Sequence, residues 1–173
     1  MHMQFIKVNN FKSLVDFKLD LAKFNCLVGL NGSGKSTVLQ FIDFVGQQVR
    51  GHIDDWLGER EWAAEDIASK LTSQATADFV VSLAASTGEA GVTWEARFDP
   101  TKLQCVFERI VMPGGTLEVE AGHVRMVDLT IQDPDKREKL NDRVAFNYQG
   151  SILSQLDEEW LPESMLARIS HHI

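Results

Sequence analysis

Eight residues carry the densest chemistry in the chain: Gly29-Leu30-Asn31-Gly32-Ser33-Gly34-Lys35-Ser36. The spacing G-x-x-x-x-G-K-S is the P-loop, or Walker A, pattern. Glycine permits backbone conformations that a Cβ forbids, so successive N–H groups from Asn31, Gly32, Ser33 and Gly34 can turn inward around phosphate oxygens. The Lys35 ammonium then reaches the β- and γ-phosphates, and the Ser36 hydroxyl is a ligand for Mg²⁺. Thr37 completes the set on the α- and β-phosphate side, and a helix opening near Lys35 directs its positive dipole end at the same anion. A glycine-rich turn that merely joins two elements is the plainer alternative.

The flanking segments argue for the chemical reading. Phe24-Asn25-Cys26-Leu27-Val28 reads as a buried strand leading into the loop. After it, Val38, Leu39, Phe41, Ile42 and Val45 recur at three- and four-residue intervals, which predicts an amphipathic helix ending near Gly46 or Gly51. Strand, glycine loop and helix are the order that phosphate binding requires. A dinucleotide fingerprint is excluded: the glycine spacing is wrong, and no acid closes a second strand about 20 residues later.

Upstream, Phe5-Ile6-Lys7-Val8 and Phe17-Lys18-Leu19-Asp20-Leu21 alternate as two half-buried strands in a hairpin-like opening. Residues 52–76 suggest one or two short helices. Between 77 and 132 the period falls to two in five runs, with turn signals at Thr87-Gly88-Glu89, Asp99-Pro100, Pro113-Gly114-Gly115 and Ala121-Gly122-His123. An antiparallel meander of about five strands follows. The alternating charges of 135–143 predict a solvated helix or loop. Helical spacing returns from Ile152 to Leu161, and again from Met165 to Ile169.

The chain has 173 residues, 44% hydrophobic and 24% charged, the balance of one ordinary folded core. Its net charge of -8 opposes indiscriminate binding to nucleic-acid backbones. No apolar run approaches the roughly 20 residues that span a bilayer, and the N-terminus lacks a secretory pattern. With Cys26 and Cys105 both in apolar runs, a reducing cytoplasm fits.

The opening Phe5-Ile6-Lys7-Val8-Asn9-Asn10-Phe11-Lys12-Ser13-Leu14, the strand Phe17-Lys18-Leu19 and the run Phe24 to Ser36 together resemble the amino-terminal end of ABC-type AAA ATPases of the RecF, SMC and OLD (overcoming lysogenization defect) group. The resemblance is sharp over residues 4–45 and looser to about 160. It implies an α/β fold, a P-loop NTPase (ABC-ATPase-like) half-domain with an antiparallel β-meander subdomain. It also implies ATP and Mg²⁺ as ligands, and a homodimer or heterodimer closing around the nucleotide. A nuclease partner, and DNA reached through it, would accompany a role in DNA maintenance, repair or anti-phage defence. By the same resemblance Lys12 and Ser13 lie beside the nucleotide, although a basic surface turn is the blander account. Gln149 is the candidate Q-loop residue, touching Mg²⁺ and the attacking water; the alternative is a polar residue capping a helix near Ser151.

The departures limit that expectation. An hhhhDE Walker B strand and an LSGGQ-like signature are both missing. Val124-Arg125-Met126-Val127-Asp128 approaches the former, but Arg125 interrupts it and Leu129 replaces the glutamate. The segments 1–51, 52–76, 77–132 and 133–173 therefore read as one ATPase lobe, expected to be the front half of a longer domain that binds nucleotide and turns it over poorly. A non-catalytic nucleotide-binding interaction module and a transporter ATPase fragment are the alternatives; a complete small P-loop kinase or GTPase lacks its further motifs.

Overall fold

A computed structural model describes residues 2–84 and 91–156. Strand β1 (His2–Asn9) takes its place between β2 (Phe17–Asp20) and β3 (Ala77–Ala84). Beyond β3 come β4 (Val92–Asp99), β5 (Gln104–Met112), β6 (Gly115–Glu120), β7 (His123–Asp128) and β8 (Glu138–Arg143) in chain order. Every pair is antiparallel, giving an eight-stranded sheet with the order β2-β1-β3-β4-β5-β6-β7-β8. The five expected meander strands are β3 to β7. The expected turn at Thr87-Gly88-Glu89 and everything from Asp157 onward lie outside the described residues; of the helix expected from Ile152, the described part is a 3₁₀ turn (Ile152–Gln155) that ends at an extended Leu156.

One face of the sheet is apolar, and helix α1 (Lys35–Arg50) lies against it. Its buried stripe is Val38, Phe41, Phe44, Val45 and Gln48, the spacing a helix needs to present one side. Phe44 is the hub of the contact. Its ring lies within 6.5 Å, centroid to centroid, of Phe11, Phe41, Trp56, Phe79 and Phe98, in tilted or edge-on geometries that suit aromatic quadrupoles. Leu39, expected on the buried side, is 65% exposed. Helix α1 ends where Gly51 adopts φ 73° and returns its N–H to the Gln47 carbonyl, the usual left-handed termination. The short helix α2 (Ile53–Gly58) follows, and a single 3₁₀ turn (Ala64–Asp66) supplies the rest of the expected helical connection.

Two local expectations change. Residues 138–143 form strand β8 rather than a helix or loop, because β7 offers an open edge and Arg125 on it pairs with Glu138 at 2.7 Å. Phe24–Val28 forms no strand: no described strand lies beside it to complete its hydrogen bonds, and Phe24 and Val28 are 84% and 88% exposed. Leu27 alone of the run packs against the core. An apolar run becomes a buried strand only when another strand pairs with it and another layer covers it.

The far end of α1 is fastened by a buried carboxylate. Glu108 on β5 is fully buried and accepts hydrogen bonds from Trp94 Nε1 (3.1 Å), the Ile152 amide (2.7 Å) and the Ser151 hydroxyl. The Ser151 amide in turn donates to the Gln48 carbonyl of α1 at 2.9 Å. Burial raises the Glu108 carboxyl to about 7, against the three donors that favour its charged form. A folded-state value above the unfolded one means the native protein holds a proton that the unfolded chain has released. Stability therefore falls as pH rises from about 4.5 to about 7 and then levels off. Urea unfolding at pH 5, 6, 7 and 8 should show a slope of about 1–3 kcal/mol across that window, and Glu108→Gln should lose that component of it. An unchanged slope in the variant would assign the titration elsewhere.

Candidate phosphate-binding site

The P-loop is a turn between the exposed segment 24–28 and α1. Gly32 (φ 81°) and Gly34 (φ 87°) take left-handed conformations, the conformations that let neighbouring amides face one point. At Gly34 a Cβ would also press on its neighbours, lying 3.2 Å from Ser13 Oγ and 3.6 Å from Leu14 Cδ2. Gly34 opens α1 without any side-chain cap. The first-turn N–H groups of a helix have no intrahelical acceptor, so an uncapped start leaves them for an anion.

Lys35 folds back over the loop. Its ammonium donates to the carbonyls of Gly29 (2.8 Å) and Leu30 (2.7 Å) and lies 3.4 Å from Ser33 Oγ. Asn31, Gly32, Ser33 and Ser36 are exposed, and Thr37 is half-buried with its Oγ1 accepting from Ser13 Oγ at 3.0 Å. A cleft of about 410 Å³ runs beside the loop, walled by Ser13, Cys26, Leu27, Gly29, Gly34 and Lys35. No acid is among its lining residues. Among the described residues no three His, Cys, Asp or Glu gather into a metal cluster.

The structure brings Ser13 to the loop and leaves Gln149 away from it. Gln149 Oε1 accepts from the Asp54 amide at the start of α2, at 3.0 Å, and the Gln149 carbonyl faces Gly51. The P-loop lies at the other end of α1, about 20 Å distant at 1.5 Å per residue. The chain returns to α1 at its C-terminal end, which places Gln149 there, because Gly150, at φ 70°, packs against Gln48 where a Cβ would meet the Gln48 carbonyl at 2.5 Å. Of the alternatives, helix capping near Ser151 falls to Ser151 itself, whose Oγ accepts from the Leu153 amide. Val124–Asp128 is the meander strand β7, five strand spacings from β1 and so about 24 Å across the sheet. Its Asp128 carboxylate is engaged by Thr130.

Asn10 is the positioning residue that sequence reading passed over. It is fully buried at φ 62°. Its Nδ2 donates to the carbonyls of Gln74 and Thr76, both at 2.7 Å, and its Oδ1 accepts from the Ser69 amide (3.1 Å) and the Thr72 hydroxyl. One side chain thereby pins the 68–76 loop to the 10–14 turn that carries Lys12 and Ser13. The Asn-Asn pair announces a turn, but nothing local reveals partners some 60 residues away. Asn10→Ala would leave those buried groups unpaired and should lower stability by about 3 kcal/mol, measured by urea unfolding; a loss below about 1 kcal/mol would show that water replaces the amide.

The chain matches the family described as AAA ATPase domain over residues 1–160. It is similar to a solved structure from structural biochemistry of ATP-driven dimerization and DNA-stimulated activation of SMC ATPases, at 20% identity and a TM-score of 0.47, over 64% of this chain and 69% of that one. No curated protein matches the sequence.

Proposed function

We propose that this chain, which belongs to the AAA ATPase domain family, binds the triphosphate of ATP on the 29–37 loop. The observation that carries this is the uncapped start of α1 at left-handed Gly34, with the Lys35 ammonium poised over the same loop. Both features concentrate positive potential where a phosphate would sit. On binding, Lys35 exchanges its contacts with the Gly29 and Leu30 carbonyls for β- and γ-phosphate oxygens, a charge-assisted replacement for two neutral acceptors. The amides of Gly32 to Ser36 hold the β-phosphate, and Thr37 holds the α-phosphate side. Ser13, hydrogen-bonded to Thr37, fixes that hydroxyl.

Mg²⁺ fits as an ion delivered with the nucleotide. The Ser36 hydroxyl, exposed at the helix start, would supply one hard oxygen ligand, the phosphates would supply others, and such an ion commonly keeps several waters. Bound there, it neutralises charge on the phosphate oxygens. Gln149, at the other end of α1, takes no part in this proposal.

Hydrolysis needs a group that orients water, and the cleft lining carries no carboxylate. The described residues thus support binding more directly than turnover. Assembly through the nucleotide face is part of the proposal, because Val28, Leu30 and Leu39 leave apolar surface around the loop at 88%, 86% and 65% exposure, and such patches mark contact sites. The partner is a second ATPase lobe. Coupling to DNA maintenance or defence, with a nuclease partner, rests on the sequence resemblance alone.

Calorimetric titration with MgATP should give saturable binding, and Lys35→Ala should weaken it by about 100-fold, the loss of one strong charge-assisted contact pair. Pure 173-residue protein should release little phosphate. Wild-type affinity retained in Lys35→Ala would refute the assignment, and rapid turnover abolished by that substitution would overturn the binding-only account.

A further inference from the structure

Glu108 is fully buried on β5, and the groups that set its ionisation are three hydrogen-bond donors with no cation among them. A buried carboxylate without a positive partner is costly to ionise and shifts toward its neutral form. Its ionisable neighbours bring no relief. Cys105 on β5 and Tyr148 are both driven up by burial and by Glu108 itself, so each stays neutral where Glu108 titrates. The other elements around it present neutral side chains: Trp94 and the register partner Ala96 on β4, the register partner Val119 on β6 and, beyond Cys105, Gln48 on α1.

Two of the three donors, the Ser151 hydroxyl and the Ile152 amide, come from one short stretch, residues 148–156. The same stretch is tied on either side. The Gly150 amide donates to the Leu103 carbonyl at 2.8 Å, the Ser151 amide donates to the Gln48 carbonyl at 2.9 Å, and Gln149 Oε1 accepts from the Asp54 amide at 3.0 Å. Ile152 and Leu153 add buried apolar contact. The stretch is thus a strap across the C-terminal end of α1, with Glu108 at its centre. Apart from one bridge between Gly150 and Gln104 it belongs to no strand pair, and β8, the last strand of the described sheet, precedes it in the chain. It can lift without parting any strand of the sheet from its neighbour.

We propose that residues 148–156 form a proton-linked strap, closed on α1 while the Glu108 carboxyl is protonated and lifting from the sheet when that carboxyl ionises, with the eight strands still paired. The protonated acid keeps the closed contacts: one oxygen accepts from the Ile152 amide, and the other donates to Ser151 Oγ. The ionised form needs water, and lifting the strap admits it. One proton is exchanged, held by the closed strap and released to solvent by the open one. With the closed value near 7 against an ordinary 4.5, opening becomes easier as pH rises through that window and levels off above it. Short stretches with few contacts open locally at less cost than global unfolding.

The test is amide hydrogen exchange of the 173-residue chain at pH 5, 6, 7 and 8, each rate corrected for its intrinsic value. Protection of the Gly150 and Ser151 amides should fall by about 100-fold from pH 5 to pH 8 and stay below that of the β1–β3 amides throughout. It should also resist low urea, which lowers protection lost through global unfolding. Glu108→Gln should flatten the pH dependence. Where that variant fails to fold, Ser151→Ala decides: the charged carboxylate loses a donor, so the fall should move to higher pH, and a midpoint left at the wild-type value would overturn the role of Glu108. Strap amides as protected as the sheet and equally urea-sensitive would show that the stretch opens only with the whole molecule, and would overturn the proposal. A wild-type profile without pH dependence, or one that Glu108→Gln leaves unchanged, would do the same.

Discussion

The seating of α1 on the sheet is the contact on which the molecule depends. Its first turn carries the proposed anion site, so the precision of that site is the precision with which the helix is held. Phe44 sits at the centre of the seat, touching rings from the 10–14 turn, α1 itself, α2, β3 and β4. Full burial of such a side chain contributes about 2–3 kcal/mol, and edge-on neighbours add to it. The contact is also specific in rotation. It fixes which side of α1 faces the sheet, and hence which way Lys35, Ser36 and Thr37 project.

Apolar packing alone tolerates sliding, and two buried polar groups prevent it. Near the N-terminal end of α1, Asn10 secures the turn that presses Ser13 and Leu14 against Gly34. At the other end, Glu108 secures Ser151 and Ile152, and through them the Gln48 carbonyl. Both residues are fully buried, where a missing partner is costly. The helix is thus held at both ends by hydrogen bonds that have only one satisfactory register. Gln48 Nε2 is the buried side-chain polar atom left without a partner among the described residues.

The segment before the loop shows how local pattern and context part company. Phe24–Val28 has the composition of an interior strand, yet it runs exposed beside the loop. Composition reports that a segment can be buried; a neighbouring strand decides whether it is. The 138–143 segment errs the other way. Its charges suggest solvent, and it remains almost wholly exposed, but the open edge of β7 draws it into the sheet.

Spacing alone picked out the glycine-rich turn before α1 as the candidate phosphate loop, because glycines, a lysine and a hydroxyl in that order are properties of a few consecutive residues. It also determined the meander and the amphipathic helix, since periods of two and 3.6 are local. What tertiary structure decided was everything that joins distant residues. Trp62 meets Lys12 across 50 positions, Asn10 meets Gln74 and Thr76, and Gln149 goes to the far end of α1 rather than to the loop. Such contacts depend on chain path and register, which no short window of sequence encodes.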